Sequence, residues 1–340
     1  MVFYSEGQNY WVHLEGLVRE ILSISSINIC YVSSSRNDPG LRLDHPNYKS
    51  FEVGDGFARD WFFANIDAGV MVMTMPDLHQ YQVKKSRYDV HYIYIQHSLV
   101  SLHMVYRPRA FEHYDTVFCA GPHHLKEMRA IQKFHGFPDK NLVEHGYGRL
   151  DSILSNSRSP MHSVEESPCP THILFAPSWG NDGTIESGVA LKVIENLLDR
   201  GYKVTLRPHP QTLKFSKRQI NKINEKFGGH LLFKIEDNVA GEESLHDSDL
   251  MISDWSGAAL DYALGLKKPV LFIDVPKKVN DPNYLKLNIE PLESKIREEI
   301  GIVVSPRCTE LPIEDCLRLD VSQVDIGDLV FNTGTSNVVG

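Results

Sequence analysis

The sequence predicts an α/β protein built from two Rossmann-like domains, and three observations support this. Short apolar runs alternate with amphipathic segments along most of the chain, which is typical of helices that connect parallel strands. The alternation stops at a stretch rich in Ser and Pro and then starts again, as expected at a domain boundary. The 340 residues are also enough for two separate cores.

In the first half, the apolar runs predict a series of strands and two clear helices. The helices are expected at 11–22 and from 123 to about 134. The strands are expected at 2–4, 27–32, 68–75, 90–96, 116–120 and 142–145. We assign residues 1–155 to an N-terminal Rossmann-like domain.

Residues 156–170 have no hydrophobic period and are interpreted as a linker. A C-terminal Rossmann-like domain is then expected over 171–305, followed by an irregular tail at 306–340 whose end is typical of a truncated chain. Its helices are expected near 189–200 and 218–227, with a third opening at Ser256. Its strands are expected at 172–176, 203–206, 231–235, 249–253 and 269–273.

Composition excludes several classes of protein. The net charge of −9 and the lack of a basic stripe argue against a nucleic-acid binder. No apolar run is long enough to span a bilayer, and the N-terminus has no signal-peptide pattern, so a cytoplasmic location is expected. The five cysteines are dispersed and include no CxxC pair, which argues against a zinc site.

The tetrapeptide Arg-Pro-His-Pro at 207–210 follows a predicted strand directly. Ligands of open α/β sheets bind beyond the carboxyl ends of the strands, so polar residues at these positions are the first candidates for function. Arg207 and His209 suit an anionic group such as a diphosphate, and the two prolines restrict the backbone around the histidine. The alternative is a rigid turn with a surface histidine.

The stretch Ser-Asp-Trp-Ser-Gly at 253–257 lies where another predicted strand passes into a helix. The free N–H groups and positive dipole of a helix N-terminus bind phosphate. Ser256 adds a hydroxyl, Gly257 permits close backbone approach, and Asp254 ends the strand, so all three are expected to belong to the phosphate-binding site. The alternative is that Asp254 or Ser256 only caps the helix.

Two further strand ends carry candidates. His97 follows the run at 90–96 and could accept a proton from a hydroxyl nucleophile; a buried, hydrogen-bonded histidine is the alternative. Ser178 and Trp179, in Phe-Ala-Pro-Ser-Trp at 175–179, could bond a phosphate and stack on a base. An ordinary exit from a strand is equally compatible with those two residues.

Other motifs are weaker. The Asp-Ser-Asp at 247–249 precedes its strand and so lies at the wrong end of the sheet for a metal site. His123 and His124 open a helix, with Glu127 as the only nearby acid at helical spacing, which makes a poor metal site. The sequence contains no P-loop, GxSxG, HExxH or GxGxxG, so an NAD enzyme is not expected.

Taken together and in this order, the motifs resemble those of the CDP-glycerol glycerophosphotransferase family, the enzymes that build teichoic-acid-like polymers. The resemblance covers most of residues 90–275. It rests on QHS at 96–98, FAPSW at 175–179, RPHP at 207–210, ISDWSGAALDY at 252–262 and KPVLFID at 268–274. Ser98 stands where the family usually has Gly, Gly257 where it usually has Ser, and Gly180 where it commonly has Arg.

This resemblance implies a GT-B fold, with two Rossmann-like domains facing across a cleft, and a transfer of alditol phosphate. A glycerol- or ribitol-phosphate would pass from a CDP-linked donor to a hydroxyl of a glycan or lipid-linked acceptor, with release of CMP. His97 would be the base and His209 a second catalytic residue. No cofactor and no metal ion are expected, because His209, Arg207 and the helix N-terminus would neutralise the diphosphate.

The implied setting is capsule or other cell-envelope polysaccharide synthesis at the inner face of the membrane. We expect brief peripheral membrane contact, although the sequence shows no basic amphipathic helix for it. Three other functions stay open. The first is a GT-B glycosyltransferase that uses a nucleotide sugar, including a CMP-linked acidic sugar; the second is a nucleotide-sugar 2-epimerase. The third is a non-catalytic protein that binds nucleotide or glycan.

Overall fold

A computed structural model describes residues 1–81, 83–157, 170–237 and 241–339. The chain forms two compact units. The first comprises residues 1–152, 279–289 and 326–340, and the second comprises 153–278 and 290–325. Each unit contains its own parallel sheet with helices, so the predicted α/β class and the two Rossmann-like units are confirmed.

The strands divide between the two sheets in chain order. In the first unit they are β1 (Val2–Ser5), β2 (Ile29–Ser33), β3 (Tyr48–Glu52), β4 (Val70–Met73), β5 (His91–Ile95), β6 (Thr116–Cys119) and β7 (Asn141–Glu144). In the second they are β8 (His172–Phe175), β9 (Lys203–Leu206), β10 (Phe233–Ile235), β11 (Leu250–Ser253), β12 (Val270–Ile273) and β13 (Gly301–Val304).

The described helices connect these strands. They are α1 (Trp11–Ile24), α2 (Phe57–Asn65), α3 (Leu102–Val105), α4 (Pro122–His135), α5 (Gly148–Ser157), α6 (Val189–Asp199), α7 (Pro210–Phe215), α8 (Lys217–Phe227), α9 (Glu243–Asp247), α10 (Gly257–Leu266), α11 (Leu292–Lys295), α12 (Arg297–Ile300), α13 (Ile313–Leu317) and α14 (Ser336–Val339). Short 3-10 turns lie at Pro39–Arg42, Tyr284–Leu287 and Ile326–Asp328.

Both sheets follow the same winding rule. The first has the order β3-β2-β1-β4-β5-β6-β7 and the second β10-β9-β8-β11-β12-β13, with parallel pairing throughout. In each sheet the strand order reverses beside the first strand, between β1 and β4 and between β8 and β11. Such a reversal opens a crevice at the carboxyl ends of the strands, which is where ligands of doubly wound sheets bind.

The inner strands are apolar because helices or loops cover both of their faces. All four residues of β1, β6, β8, β11 and β12 are buried. In β1 the side chains alternate between two core clusters: Val2 and Tyr4 pack in one, and Phe3 packs in the other beside Leu14 of α1. In the second unit, Phe175 and Leu206 share a core with Ile194 of α6.

The C-terminal segment packs against the first unit. The Asp151 carboxylate accepts hydrogen bonds from the backbone N–H of Gly334 at 2.6 Å and of Ser336 at 3.0 Å. A Cβ atom on Gly121 would lie 1.9 Å from the Leu329 carbonyl oxygen, so the close approach there requires glycine. The Phe331 N–H donates to the Ala120 carbonyl at 2.8 Å, just beyond the end of β6.

The expected domain boundaries differ from these units in the C-terminal third. Residues 279–289 were assigned to the second domain but group with the first unit. The expected tail divides at residue 325: its first part, with α13, belongs to the second unit and the rest to the first. The expected linker at 156–170 falls mainly on 158–169, which lie outside the described residues.

Candidate functional site

In the second unit, the predicted site residues gather at the carboxyl ends of three neighbouring strands. Ser178 and Trp179 follow β8, Arg207 and His209 follow β9, and Asp254 follows β11. These strands are adjacent in the sheet, in the order β9-β8-β11. The RPHP, FAPSW and SDWSG stretches, distant in sequence, therefore meet beside the point where the strand order reverses.

Asp254 organises the loop that follows β8. This aspartate is 1% exposed. Its carboxylate accepts the Ser178 N–H at 2.6 Å, and the Thr184 N–H and hydroxyl at 3.3 and 2.6 Å. With these bonds the Asp254 carboxylate fixes the loop, and direct contact with a phosphate would place two anions together. Holding the loop differs from the phosphate binding expected of Asp254 from sequence.

Arg207 is also held within the protein. The guanidinium is buried and pairs with the Glu236 carboxylate at 2.9 Å. It also donates to the Ser244 hydroxyl at 2.5 Å and to the Gly241 carbonyl at 3.0 Å. Arg207 therefore fixes the segment that leads into α9, and Glu236 offsets much of its positive charge. Glu236 and Ser244 were not identified in this role from sequence.

His209 has a defined orientation. Its backbone is the N-cap of α7, and Nδ1 accepts the Gln211 N–H at 3.1 Å. In a neutral ring this bond puts the proton on Nε2. The flanking prolines, Pro208 and Pro210, fix the backbone at both sides.

Ser256 caps α10, which is the alternative given for this residue from sequence. Its hydroxyl accepts the Ala258 N–H at 3.3 Å, and the helix begins at Gly257. Capping and ligand binding are compatible, because the first turn of a helix has four N–H groups and one cap satisfies only part of them. The helix start follows β11 immediately, so its positive end lies at the same edge of the sheet as the RPHP stretch.

Lys278 is a neighbour of this group that the sequence analysis missed. Its Nζ lies 4.1 Å from the centroid of the Trp179 ring, and the Trp179 and His209 rings are 5.9 Å apart. Burial lowers the pKa of the Lys278 amine to about 8, although Asp254 and Glu186 oppose this. The only signal in the sequence was its place five residues after β12, too far from the strand end for the rule we applied.

In the first unit, His97 lies in a cluster of phenol and imidazole rings. Nδ1 is 3.2 Å from the Tyr94 hydroxyl and Nε2 is 3.5 Å from the Tyr106 hydroxyl. The Tyr147 hydroxyl donates to the His97 carbonyl at 3.2 Å. These contacts fix both the ring and the backbone of a half-buried histidine at the end of β5.

Three more residues of this cluster were missed from sequence. The rings of Tyr10 and His13, at the start of α1, lie 5.8 and 6.1 Å from the His97 ring. Glu6 follows β1 directly, and burial raises the pKa of its carboxyl to about 7, partly opposed by the charge of Arg59. Glu6 satisfied the strand-end rule and could have been found by applying it to every strand.

The loop that carries His97 is held by α4. The Nε2 atoms of His123 and His124 lie 2.9 and 3.0 Å from the carbonyls of Leu99 and Val100. The Glu127 carboxylate accepts the Leu102 N–H at 2.6 Å. Burial lowers the pKa of both histidines, so neutral rings donate these bonds. The histidine pair considered as a poor metal site therefore supports the His97 loop.

The described residues contain neither a metal-binding cluster nor a membrane-spanning helix. Across 1–81, 83–157, 170–237 and 241–339, no group of three or more His, Cys, Asp or Glu side chains is arranged to hold a metal ion. In the same residues, no helix has both the length and the apolar character needed to cross a membrane.

Comparison with known sequences gives one family. The model of the CDP-glycerol:poly(glycerophosphate) glycerophosphotransferase family matches residues 60–278, well over half of the chain. All five motifs noted above fall within this range. No curated protein matches the chain.

Solved structures of similar fold include several UDP-GlcNAc 2-epimerases. The enzyme of Methanocaldococcus jannaschii, in complex with UDP-GlcNAc and UDP, has a TM-score of 0.61 and 13% identity, over 99% of this chain and 97% of that chain. MnaA of S. aureus with UDP has a TM-score of 0.58 and 10% identity, over 100% of this chain and 92% of that chain. The Neisseria meningitidis enzyme bound to UDP-GlcNAc has a TM-score of 0.56 and 11% identity, over 84% of each chain. These similarities confirm the predicted GT-B-type fold and, at such identities, extend no further than the fold.

Proposed function

Because the chain belongs to the CDP-glycerol:poly(glycerophosphate) glycerophosphotransferase family, we propose that it transfers an alditol phosphate from a CDP-linked donor to a hydroxyl group. The transferred group is glycerol- or ribitol-phosphate, the acceptor is a cell-surface glycan or a lipid-linked glycan, and CMP is released. The family establishes a transferase, and the donor and acceptor are the content of the proposal.

The observation that carries the proposal is the meeting of three motifs at one edge of the second sheet. RPHP, FAPSW and the start of α10 follow the adjacent strands β9, β8 and β11. The His209 imidazole, oriented through Nδ1, and the first turn of α10, with Ser256 and Gly257 at its start, lie at this edge. Oriented imidazole and backbone donors stabilise the charge of a diphosphate.

The reaction follows from these groups. The acceptor oxygen attacks the distal phosphorus of the donor and forms a new O–P bond. The bond from that phosphorus to the bridging oxygen breaks, and CMP leaves with the electron pair. His97, oriented by Tyr94 and Tyr106, takes the hydroxyl proton. His209 and the N-terminus of α10 stabilise the charge that develops on the leaving group. Arg207 and Asp254 support this site mainly through the loops that they hold.

The direct test measures CMP release with CDP-glycerol and CDP-ribitol in the presence of glycan or lipid-linked acceptors. His97→Ala and His209→Ala should each lower kcat about 10²–10⁴-fold, the range for loss of a general acid–base group or a charge-stabilising donor. Circular dichroism should show both variants folded. Near-normal turnover in both variants would contradict the proposal.

We propose further that the reaction needs no metal ion, because imidazole, ammonium and helix-terminal groups are available for the diphosphate. Turnover should then continue in excess EDTA, and added Mg²⁺ should not restore or raise it substantially. Loss of turnover in EDTA with recovery on adding a divalent cation would reject metal independence while leaving the donor assignment intact.

The same assay separates the remaining functions. Release of CMP from a CMP-linked acidic sugar, or of a nucleoside diphosphate from a nucleotide sugar, would indicate a glycosyltransferase. Conversion of UDP-GlcNAc without an acceptor would indicate an epimerase. Tight binding of nucleotide with no product under any acceptor would indicate a binding protein.

A further inference from the structure

Lys278 lies beside the predicted donor site without a charge partner of its own. Among the described residues, Nζ forms no ion pair within 4.0 Å. The centroid of the Trp179 ring lies 4.1 Å from Nζ. The side chain is half-buried, so the protein removes part of its hydration and supplies only a ring face in return.

The two carboxylates that influence Lys278 bond other groups through three of their four oxygens, and the fourth, Glu186 Oε2, is buried and accepts no hydrogen bond from the described residues. Both oxygens of Asp254 accept bonds from the loop after β8. One oxygen of Glu186 accepts the hydroxyls of Thr212 and Ser216, at 2.8 and 3.0 Å. These acids attract the ammonium at longer range but give it no hydrogen bond. The three N–H donors of Lys278 can therefore gain hydrogen-bond acceptors from a bound anion.

Lys278 lies at the edge of the sheet where the diphosphate is proposed to bind, and its positive charge suits that anion. Its neighbour Trp179 also contacts the ring of His209, the residue proposed to stabilise the leaving group. The N-terminus of α10 lies at the same edge of the sheet, one strand away from β12 in sheet order. A lysine here adds a mobile point charge to a site whose arginine, Arg207, is already paired with Glu236.

We propose that Lys278 binds the diphosphate of a nucleotide donor directly, and that Trp179 is a positioning residue which holds Lys278 and His209 by ring contact. This inference rests on the proposed function of the second unit as the donor-binding unit. It differs from the role in base stacking expected for Trp179 from sequence, because the lysine ammonium and the histidine ring already contact that indole.

The test measures binding of cytidine, CMP, CDP, UDP and GDP by isothermal titration calorimetry to the full chain and its variants. Lys278→Met should weaken CDP about tenfold or more, as for loss of a charge-assisted hydrogen bond. Cytidine should change less than about threefold, since it carries no phosphate. Lys278→Arg should retain most of the affinity for CDP. Lys277→Met is the matched control, because this neighbour contacts Ser294 and Trp255 instead, and it should bind like the unmodified protein.

Trp179 variants separate the two roles of the indole. If Trp179 positions Lys278, Trp179→Leu weakens CDP and leaves cytidine unchanged, and Trp179→Phe, which keeps a ring, recovers most of the loss. An equal loss for cytidine, CMP and CDP in Trp179→Leu would indicate base stacking and overturn the positioning role. A thermal unfolding curve for each variant shows whether it is folded.

The outcomes distinguish this inference from the proposed function. Equal affinity of the unmodified protein and Lys278→Met for CDP would overturn the role of Lys278 and leave the cytidine donor in place. Tight binding of UDP or GDP instead of CDP, weakened in Lys278→Met, would support Lys278 and reject the CDP-linked donor. Failure of all three nucleoside diphosphates to bind the unmodified protein would overturn both.

Discussion

At the scale of single residues, the candidate residues of each unit divide into groups proposed to meet a ligand and groups that hold other parts of the protein. His97, His209 and Lys278 are half-buried and sit among rings and caps that orient them. Asp254 and Arg207 are buried, and their charged groups bond other groups of the protein. The same residue types therefore have different tasks, and their partners in the fold decide which task each one has.

The sequence identified four of these residues, His97, His209, Asp254 and Arg207, but could not assign their tasks. Strand-end position singled out Asp254, Arg207 and His209, and the strands that they follow, β11 and β9, lie on either side of β8 in the second sheet. Whether a carboxylate meets a ligand or a backbone N–H depends on the path of a loop 70 or more residues away in sequence, such as that of Thr184. Lys278 and Tyr106 escaped notice because they reach the site from within longer loops.

A pH profile tests the state of Lys278. Its pKa is lowered from 10.5 to about 8, so the amine is charged below that pH and loses its charge as the pH rises through it. Asp254, Glu186 and, beyond the indole, His209 are the other titratable groups that face it. The affinity for CDP should fall between pH 7 and pH 9. In Lys278→Arg the affinity should stay nearly constant, because a guanidinium does not titrate there. A parallel decline in both proteins would contradict the prediction.

At the scale of elements, α4 supports the loop of the first unit that carries His97. Its first turns hold the carbonyls of Leu99 and Val100 and the N–H of Leu102. The sequence predicted this helix at nearly its true length, because a glycine precedes it and the apolar residues recur at helical spacing. It could not predict the polar contacts, since these depend on the course of the loop after β5.

Glu127→Leu tests this support. The variant leaves the Leu102 N–H without its acceptor in a buried position, which costs roughly 1–3 kcal/mol of unfolding free energy. We expect kcat for CMP release to fall while KM for the donor stays the same, because the donor-site residues lie in the other unit. Urea unfolding and steady-state kinetics measure the two effects. Glu225→Leu on the exposed surface of α8 is the control and should change neither.

The strands that the sequence analysis missed are both at sheet edges. β3 pairs only with β2, and β13 pairs only with β12. In β3 the buried, exposed and intermediate residues are mixed, and the sequence Tyr-Lys-Ser-Phe-Glu has no continuous apolar run. Central strands were found because cover on both faces requires apolar residues throughout. This explanation fits β3, whose edge position demands fewer apolar residues, but not β13, whose sequence Gly-Ile-Val-Val is apolar; the edge strands β7 and β10 were predicted.

At the scale of the whole molecule, two units repeat one topology, and each unit takes residues from more than one part of the chain. The strand orders agree when the second sheet is counted from β8. Alternating periodicity was enough to predict two Rossmann-like units, because each strand and helix is a local signal. The return of residues 279–289 and 326–340 to the first unit depends on contacts between distant residues, which periodicity does not contain.

Asp151→Ala tests the importance of the returning segment. The Asp151 carboxylate bonds the Ser336 hydroxyl at 2.5 Å as well as two backbone N–H groups. Its loss leaves buried donors without a partner, at roughly 1–3 kcal/mol for each fully buried group. Chemical denaturation should show a lower unfolding free energy, and limited proteolysis should show faster cleavage near residue 330. Asp328→Ala, an exposed change in the same segment, should behave like the unmodified protein; an equal loss in both variants would count against the role of Asp151.

The return of the last residues to the first unit also sets an order for folding during synthesis. All residues of the second unit have been translated once residue 325 is added. The first unit, although it begins at residue 1, must wait for Ser336 to leave the ribosome before Asp151 has its partners. Domains usually complete their folds in the order in which they emerge. Here the unit that starts first finishes last, so a nascent chain stalled before residue 326 would carry a finished second unit and an unfinished first one.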